Sequence, residues 1–300
     1  LNPGIAGSGA IYTSGNAGRI LSLSTADATQ SWDPVSTTGA VQGWLSWLPV
    51  GGDVASGLVG HWKLDDGSGS TAADSSGNGN TGTLVNGPTW TTGKVGGALS
   101  FDGVDDYVQV SASSSINNIF SSGGTISAWV YLTGWGEGDG TTAYGRIVDK
   151  AATTGSANGF AFHVTGPPYS RLEFARGFTT TAGNWSAPTN SLSLNKWSHV
   201  IVVYNDSSAA NDPLLYIDGI LQTLTENTAP VGIAQSDAAQ NMVIGNHATG
   251  PIRTFDGRID DARVYNRALS AAEVSKLHLG GGGWQYRKEI TIASAKVAGS

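Results

Sequence analysis

The densest run of oxygen-bearing side chains is Asp74-Ser75-Ser76-Gly77-Asn78-Gly79-Asn80. Calcium takes about six to eight oxygens from carboxylates, amides and carbonyls held on a flexible loop. Asp74, Asn78 and Asn80 offer such ligands, and the intervening glycines permit tight curvature. Asp102-Gly103-Val104-Asp105-Asp106 is a second acidic turn. There an Asp can cap its own backbone, and the Asp105–Asp106 carboxylates can attract a cation. Further along, Asp260, Ala262 and Val264 share one face if residues 259–265 form a strand. That places Asp260 inward beside core residues, where a carboxylate needs a cation, an arginine or backbone amides as partner.

Other chemistries find less support. Glycoside hydrolysis uses two carboxyl groups flanking the scissile bond. The chain has five glutamates, Glu137, Glu173, Glu226, Glu273 and Glu289, widely spread. His61, His163, His199, His247 and His278 are equally scattered. There is no Gly-x-Ser-x-Gly elbow and no phosphate-binding loop. The chain has no cysteine, which excludes disulfides, thiol nucleophiles and zinc–thiolate centres. Trp135, between Gly134 and Gly136, and Trp185, in Gly183-Asn184-Trp185-Ser186, fall in expected loops. Exposed indoles there would stack on sugar rings; the alternative is packing of the loops onto the body of the domain.

These groups need elements to position them. From residue 58 onward, short alternating runs are separated by Gly, Asn, Asp and Pro clusters, the pattern of a sandwich or barrel. Asp218-Gly219 between apolar residues marks a tight hairpin. One helix is expected at residues 269–277, where Ser270 and Glu273 form a capping box. Gly280 to Gly283 reads as a linker. Residues 284–300 resume alternation as a single strand with no partner in its own segment. Residues 1–56 are rich in Gly, Ser and Thr and look too poor in core to fold alone. The expected organisation is an arm at 1–56, a sandwich at 57–280, and a linker with an orphan strand at 281–300. The opening Leu1-Asn2-Pro3-Gly4 reads as part of a processed or longer product.

Composition narrows the role. Charged residues are 13% of the 300, against roughly 25% in an average soluble domain, and 43 residues are Gly. Ten Trp and 39% hydrophobic residues supply a sizeable core. A net charge of −7 leaves no basic stripe for nucleic acid. No apolar run reaches the ~18 residues of a membrane span.

Several phrases resemble one family. They are Gly60-His61-Trp62-Lys63-Leu64-Asp65-Asp66-Gly67, Asp74 to Gly82, Gly97-Ala98-Leu99-Ser100-Phe101-Asp102-Gly103, Ile126-Ser127-Ala128-Trp129-Val130, Trp197-Ser198-His199-Val200, Leu215-Tyr216-Ile217-Asp218-Gly219 and Gly257 to Ser270. In this order and spacing they resemble the bacterial laminin-G-like group of the concanavalin A-like lectin/glucanase superfamily. The resemblance covers about three quarters of the chain. It implies an all-β fold, a two-sheet antiparallel jelly-roll sandwich with one short helix near the C-terminal end and extended terminal arms. It also implies that the closing strand lies beside the opening region, which would bring Asp260 to the Asp74 loop; a structural calcium ion held there and turns capped by their own side chains are the two readings of that loop. Hydrolases of that superfamily carry Glu-x-Asp-x-Glu strands, and none of the five glutamates lies in one. Residues 284–297 resemble the first strand of a different, uncharacterised exported domain.

The expected role is therefore a non-catalytic extracellular module on a bacterial cell surface, recognising glycan or a surface protein. The alternative is a structural subunit of a filament or surface layer, a homo-oligomer assembled through its arms. A glycoside hydrolase is the remote third. Nucleic-acid binding and membrane insertion are not expected.

Overall fold

The computed structural model describes residues 54–137, 143–250 and 252–280 in full, together with the backbone of the strands Tyr12–Thr13, Ile20–Leu21, Gln30–Pro34, Ala40–Trp47 and Glu289–Ala293. Two compact units are present. One is Val54–Gly281; the other joins Leu1–Asp53 with Gly282–Ser300.

In the larger unit, two antiparallel sheets face each other. The nine-stranded sheet runs, edge to edge, Thr225–Thr228, Gly183–Ser186, Arg171–Arg176, Phe160–Thr165, Tyr144–Lys150, Met242–Ile244, Tyr107–Val110, Gly82–Val85 and Thr71–Ala72. The eight-stranded sheet is built around Gly124–Leu132, flanked by Trp197–Tyr204 and Asp256–Tyr265, with Leu58–Trp62 paired to the last of these. Alternation decides what lies between them. Phe160, Phe162 and Val164 enter the core while His163 and Thr165 face outward; Ile126, Ala128 and Val130 enter while Ser127 and Trp129 face outward.

Two tryptophans anchor this core, one from each sheet. Trp62 and Trp185 are fully buried, and each follows a glycine by two residues. A methyl group on Gly60 would sit 2.5 Å from a ring carbon of Trp62, and one on Gly183 would sit 2.2 Å from a ring carbon of Trp185. On a strand, residues two apart share a face, so each indole lies flat along its own strand over the space the glycine leaves.

Local signals hold where they are strong. Leu214–Ile217 and Ile220–Leu221 form the expected hairpin, with Asp218 and Gly219 at φ 52° and 76°. Both central residues are left-handed, as a tight hairpin turn demands. The helix Ala271–Gly280 begins with the expected box: Ser270 N–H donates to Glu273 Oε2 at 2.9 Å, and Glu273 N–H to Ser270 Oγ at 3.4 Å. Its Val274 and Leu277 pack on Ile201, Val203, Tyr216 and Tyr265, outward residues of the eight-stranded sheet.

One parity expectation fails. Asp261 takes φ 49°, and the pairing of the closing strand shifts register between Ser127 and Trp129. This bulge inserts an extra residue. Ile259, Ala262 and Val264 enter the core, while Asp260 and Asp261 both lie on the outer face. Asp260 is buried there, outside the core layer it was expected to join.

In the smaller unit, Glu289–Ala293 pairs antiparallel with Ala40–Trp47, from Glu289 opposite Trp44 to Ala293 opposite Ala40. Ala40–Trp47 also pairs with Gln30–Pro34, giving a three-stranded sheet. The C-terminal strand thus finds its partner in the N-terminal segment.

Candidate functional site

The Asp74 loop is closed by its own hydrogen bonds. Asp74 Oδ1 accepts from His61 N–H and Ser76 N–H, both at 2.9 Å; Oδ2 accepts from Ser76 Oγ at 2.9 Å and Asn80 N–H at 2.8 Å. Burial pushes the Asp74 carboxyl up, but these four bonds outweigh it and hold it below the usual range. Asn80 donates to Val59 O and Ser115 Oγ and accepts from Ser113 Oγ, while Trp62 Nε1 donates to Asn80 O. The loop therefore caps the buried Trp62. Asn78 is exposed and bonds to Leu58 O and Ser76 Oγ.

Asp260 is not brought to this loop. Its Oδ2 accepts from Lys94 N–H and Val95 N–H, each at 2.8 Å, and its Oδ1 has no partner. The neighbour that reaches the loop region is Asp261, whose Oδ1 lies 2.6 Å from His61 Nε2. Among the described residues, the carboxylates that do converge are those of Asp102, Asp105 and Asp106, whose ligand atoms lie within 4.8 Å of one another.

The two loop tryptophans part company. Trp185 is a strand residue with no exposed surface; it stacks on Phe174 at 6.2 Å, and its Nε1 donates to Asp212 at 2.8 Å. It cannot stack on a ligand, because the short strand Gly183–Ser186 turns it into the core. Trp135 is half-buried, packs partly on the core, and lies against Gly145 and Gly166.

Those glycines follow Tyr144 and Thr165, which begins a second, unforeseen grouping. Tyr144, Thr165 and Arg171 face one another in register across three adjacent strands, on the outer face of the nine-stranded sheet. At one end of this row Arg253 lies over the Tyr144 ring at 4.1 Å; at the other, Arg171 lies over the Tyr169 ring at 4.4 Å. Two strand spacings separate the ends by roughly 10 Å, about the width of one sugar ring with its hydroxyls. Tyr169 is 41% exposed. Asn184 and Asn227 join the rim, bonded to each other at 2.7 Å.

Alongside the row, two residues further along the same three strands, lies a buried polar floor of Arg146, His163 and Glu173, in register with one another. Arg171 Nε and Nη2 each lie 2.8 Å from Glu173 Oε1. Asn184 Nδ2 donates to Glu173 Oε2 at 3.5 Å. Burial alone would raise the Glu173 carboxyl, but its neighbours hold it at about 2. His163 and then Arg171 are the neighbours that hold Glu173 low, while burial, with Arg146 beside it, pushes His163 down. Arg146 pairs with Asp149 at 3.3 Å, and His247 Nδ1 lies 3.1 Å from Asp149 Oδ1. Five buried atoms of this group have no hydrogen-bond partner: Arg146 Nε and Nη1, Asp149 Oδ2, His163 Nδ1 and Thr165 Oγ1.

None of these residues stood out in the sequence beyond its type. Tyr144, Thr165 and Arg171 are joined only by strand register, and Arg253 arrives from a distant loop. The available signal was the run of polar residues at alternate positions, His163 and Thr165, then Arg171 and Glu173, on strands whose other face is mostly apolar.

Comparison with known proteins agrees with this architecture. The binding domain of Paraclostridial Mosquitocidal Protein 1 superposes with a TM-score of 0.56 at 16% identity, covering 75% of this chain and 52% of that one. Trypanosoma rangeli sialidase matches with a TM-score of 0.53 at 19% identity, over 76% of this chain and 34% of that one. The botulinum neurotoxin serotype G binding domain matches with a TM-score of 0.53 at 16% identity, over 74% and 50%. The chain therefore spans about half or less of the length of these structures, and at such identities they share its fold. No curated protein matches the sequence. Among the described residues no helix is long and apolar enough to cross a membrane. A laminin-G-like family model matches residues 102–275, more than half of the chain. The chain belongs to the concanavalin A-like lectin/glucanase superfamily, in its laminin-G-like branch.

Proposed function

We propose that the larger unit is a non-catalytic sugar-binding module of an extracellular surface protein, and that it binds through the outer face of the nine-stranded sheet. The observation that carries this reading is the row Tyr144–Thr165–Arg171, bounded by two arginine–tyrosine stacks with Trp135 alongside. Aromatic faces supply apolar contact to a sugar ring, and the amides and guanidinium supply hydroxyl recognition. The glycan-linked members of the superfamily and the toxin binding domains sharing this fold are consistent with such a role.

The same site argues against hydrolysis. A glycosidase needs a carboxylic acid that is protonated near neutral pH. Glu173, the central carboxylate of the floor, is held ionised by Arg171, and Asp149 is engaged by Arg146, His247 and two backbone amides. Glu173 has no proton to give near neutral pH. The test is titration of the protein with a panel of oligosaccharides, followed by calorimetry or NMR. Tyr169→Ala and Arg171→Ala should each weaken any binding at least tenfold, with Tyr169→Ala leaving the melting temperature unchanged. A bound sugar whose affinity ignores both substitutions sinks the reading.

A second reading, a structural subunit, rests on the pairing of Glu289–Ala293 with Ala40–Trp47. The same pairing made between copies would link them, since strand exchange through a flexible hinge is a low-cost route to oligomers. The chain has no cysteine, so Gln42→Cys in one copy and Thr291→Cys in another, refolded together, would trap exchange as a disulfide-linked dimer. These positions are register partners. Failure to cross-link at high concentration removes this reading.

A further inference from the structure

We infer that the sugar taken by this face is uncharged, and that the floor discriminates against uronic, sialic and other acidic sugars. This rests on the sugar-binding reading above and adds the class of ligand. Binding at arginines ordinarily suggests an anionic partner, because a guanidinium pairs bidentately with a carboxylate. Here the guanidiniums are already committed. Arg171 gives both Nε and Nη2 to Glu173 Oε1, and Arg146 pairs with Asp149 while its Nη2 donates to Thr154 O at 2.9 Å. Arg253 spreads its guanidinium over the Tyr144 ring. Arg171 is matched by Glu173 and Arg146 by Asp149, Arg253 lies at the far end of the row over Tyr144, and both histidines that contact those carboxylates are further donors to them.

An acidic ligand would therefore meet Glu173 without a spare cation between them. Asn184 and Asn227 form the adjoining rim, and Asn184 bonds directly to Glu173, so the negative charge lies immediately beneath the surface a ligand would touch. Like-charge juxtaposition of this kind is how a site rejects a competitor. What the face offers instead is neutral: two tyrosine rings and two side-chain amides. The unpartnered Arg146 Nη1 and His163 Nδ1 are buried two residues along the same strands. Side-chain amides, each carrying donors and an acceptor, fit vicinal hydroxyls, each of which both donates and accepts.

The test compares neutral hexose trisaccharides with their 6-carboxylate counterparts, such as trigalacturonic acid, by calorimetry at 50 and 500 mM salt, quantities of about this size spanning strong and weak screening. The expected result is that a neutral trisaccharide binds at least tenfold more tightly than its acidic counterpart and changes less than twofold with salt. Glu173→Gln releases Arg171 from its pair. In that variant the preference for the neutral sugar should shrink at least fivefold and acidic binding should become salt-dependent. Tighter binding of the acidic sugar by the unsubstituted protein overturns the inference and leaves the sugar-binding reading standing. An unchanged preference in a folded Glu173→Gln variant also overturns it. Absence of binding to either series defeats the reading on which it rests.

Discussion

Asp260→Asn isolates the cost of a buried carboxylate. Asp260 has no exposed surface, and only its Oδ2 is hydrogen-bonded. Burial, reinforced by Asp261 and Asp65 and opposed by the Lys94 and Val95 amides, pushes its pKa to about 7 from 3.8. The folded pKa lies above the unfolded one, so between about pH 4 and pH 7 the folded protein retains a proton that the unfolded chain has lost. Stability therefore falls as pH rises through this window. A gap of about 3 units corresponds to about 4 kcal/mol at ~1.4 kcal/mol per unit. Asparagine keeps an oxygen for the two amides and never ionises, although its NH2 then needs a partner at a cost of about 1–3 kcal/mol. That cost is the same at both pH values and cancels; about 2 of the units lie above pH 5, so Asp260→Asn should gain about 3 kcal/mol relative to the unsubstituted protein on going from pH 5 to pH 8. Urea unfolding followed by tryptophan fluorescence at the two pH values measures this. His199, pushed by burial to about 3, and His278, also lowered by burial, titrate with the opposite sign. They are present in both proteins and cancel in the difference. A difference between variant and parent that is the same at pH 5 and pH 8 would refute the assignment of the cost to an ionised Asp260.

Trp185→Ala should cost about 3–5 kcal/mol by emptying the core, a loss visible in chemical unfolding whatever its effect on ligand binding. Ser270→Ala removes the helix cap and should lower stability by about 1 kcal/mol in the same assay. Lys150 is fully buried, pairs with Asp237 at 3.1 Å, and donates to Asn117, Asp237 O and Gln240 O. Lys150→Met strands the Asp237 carboxylate and should cost about 3–5 kcal/mol. Because Asp74 already accepts four hydrogen bonds, chelation should leave the melting temperature unchanged through this loop. A chelator-sensitive melting temperature that Asp105→Asn abolishes would instead place a cation at Asp102, Asp105 and Asp106.

The sandwich was legible because its signals are local. Alternation, Asp218-Gly219 and the Ser270–Glu273 box each act within a few residues and leave little choice to the surroundings. The site was less legible because register assembles it. Asp260 was expected to face inward by counting in twos, and a left-handed Asp261, at a position where sequence gives no glycine to announce it, added one to the count. Trp185 reads as a loop residue beside Gly183 and Asn184, yet that glycine makes room for its ring inside the sheet. The sugar platform depends on which strands become neighbours, and no spacing along the chain encodes that Tyr144 will face Thr165 and Thr165 will face Arg171.

The two glycine–tryptophan pairs bear on how such a sequence can drift. Neither member can change alone at low cost: any side chain at Gly60 or Gly183 collides with an indole, and shrinking either indole opens a void beside a bare backbone. A joint replacement, with a larger residue at the glycine and a smaller one at the tryptophan, would refill the same volume. Each pair should then behave as one inherited unit, with strongly non-additive single substitutions. Variants that cross from one solution to the other must pass through an intermediate less stable than either, which tends to preserve both pairs together even where the surrounding loops diverge freely.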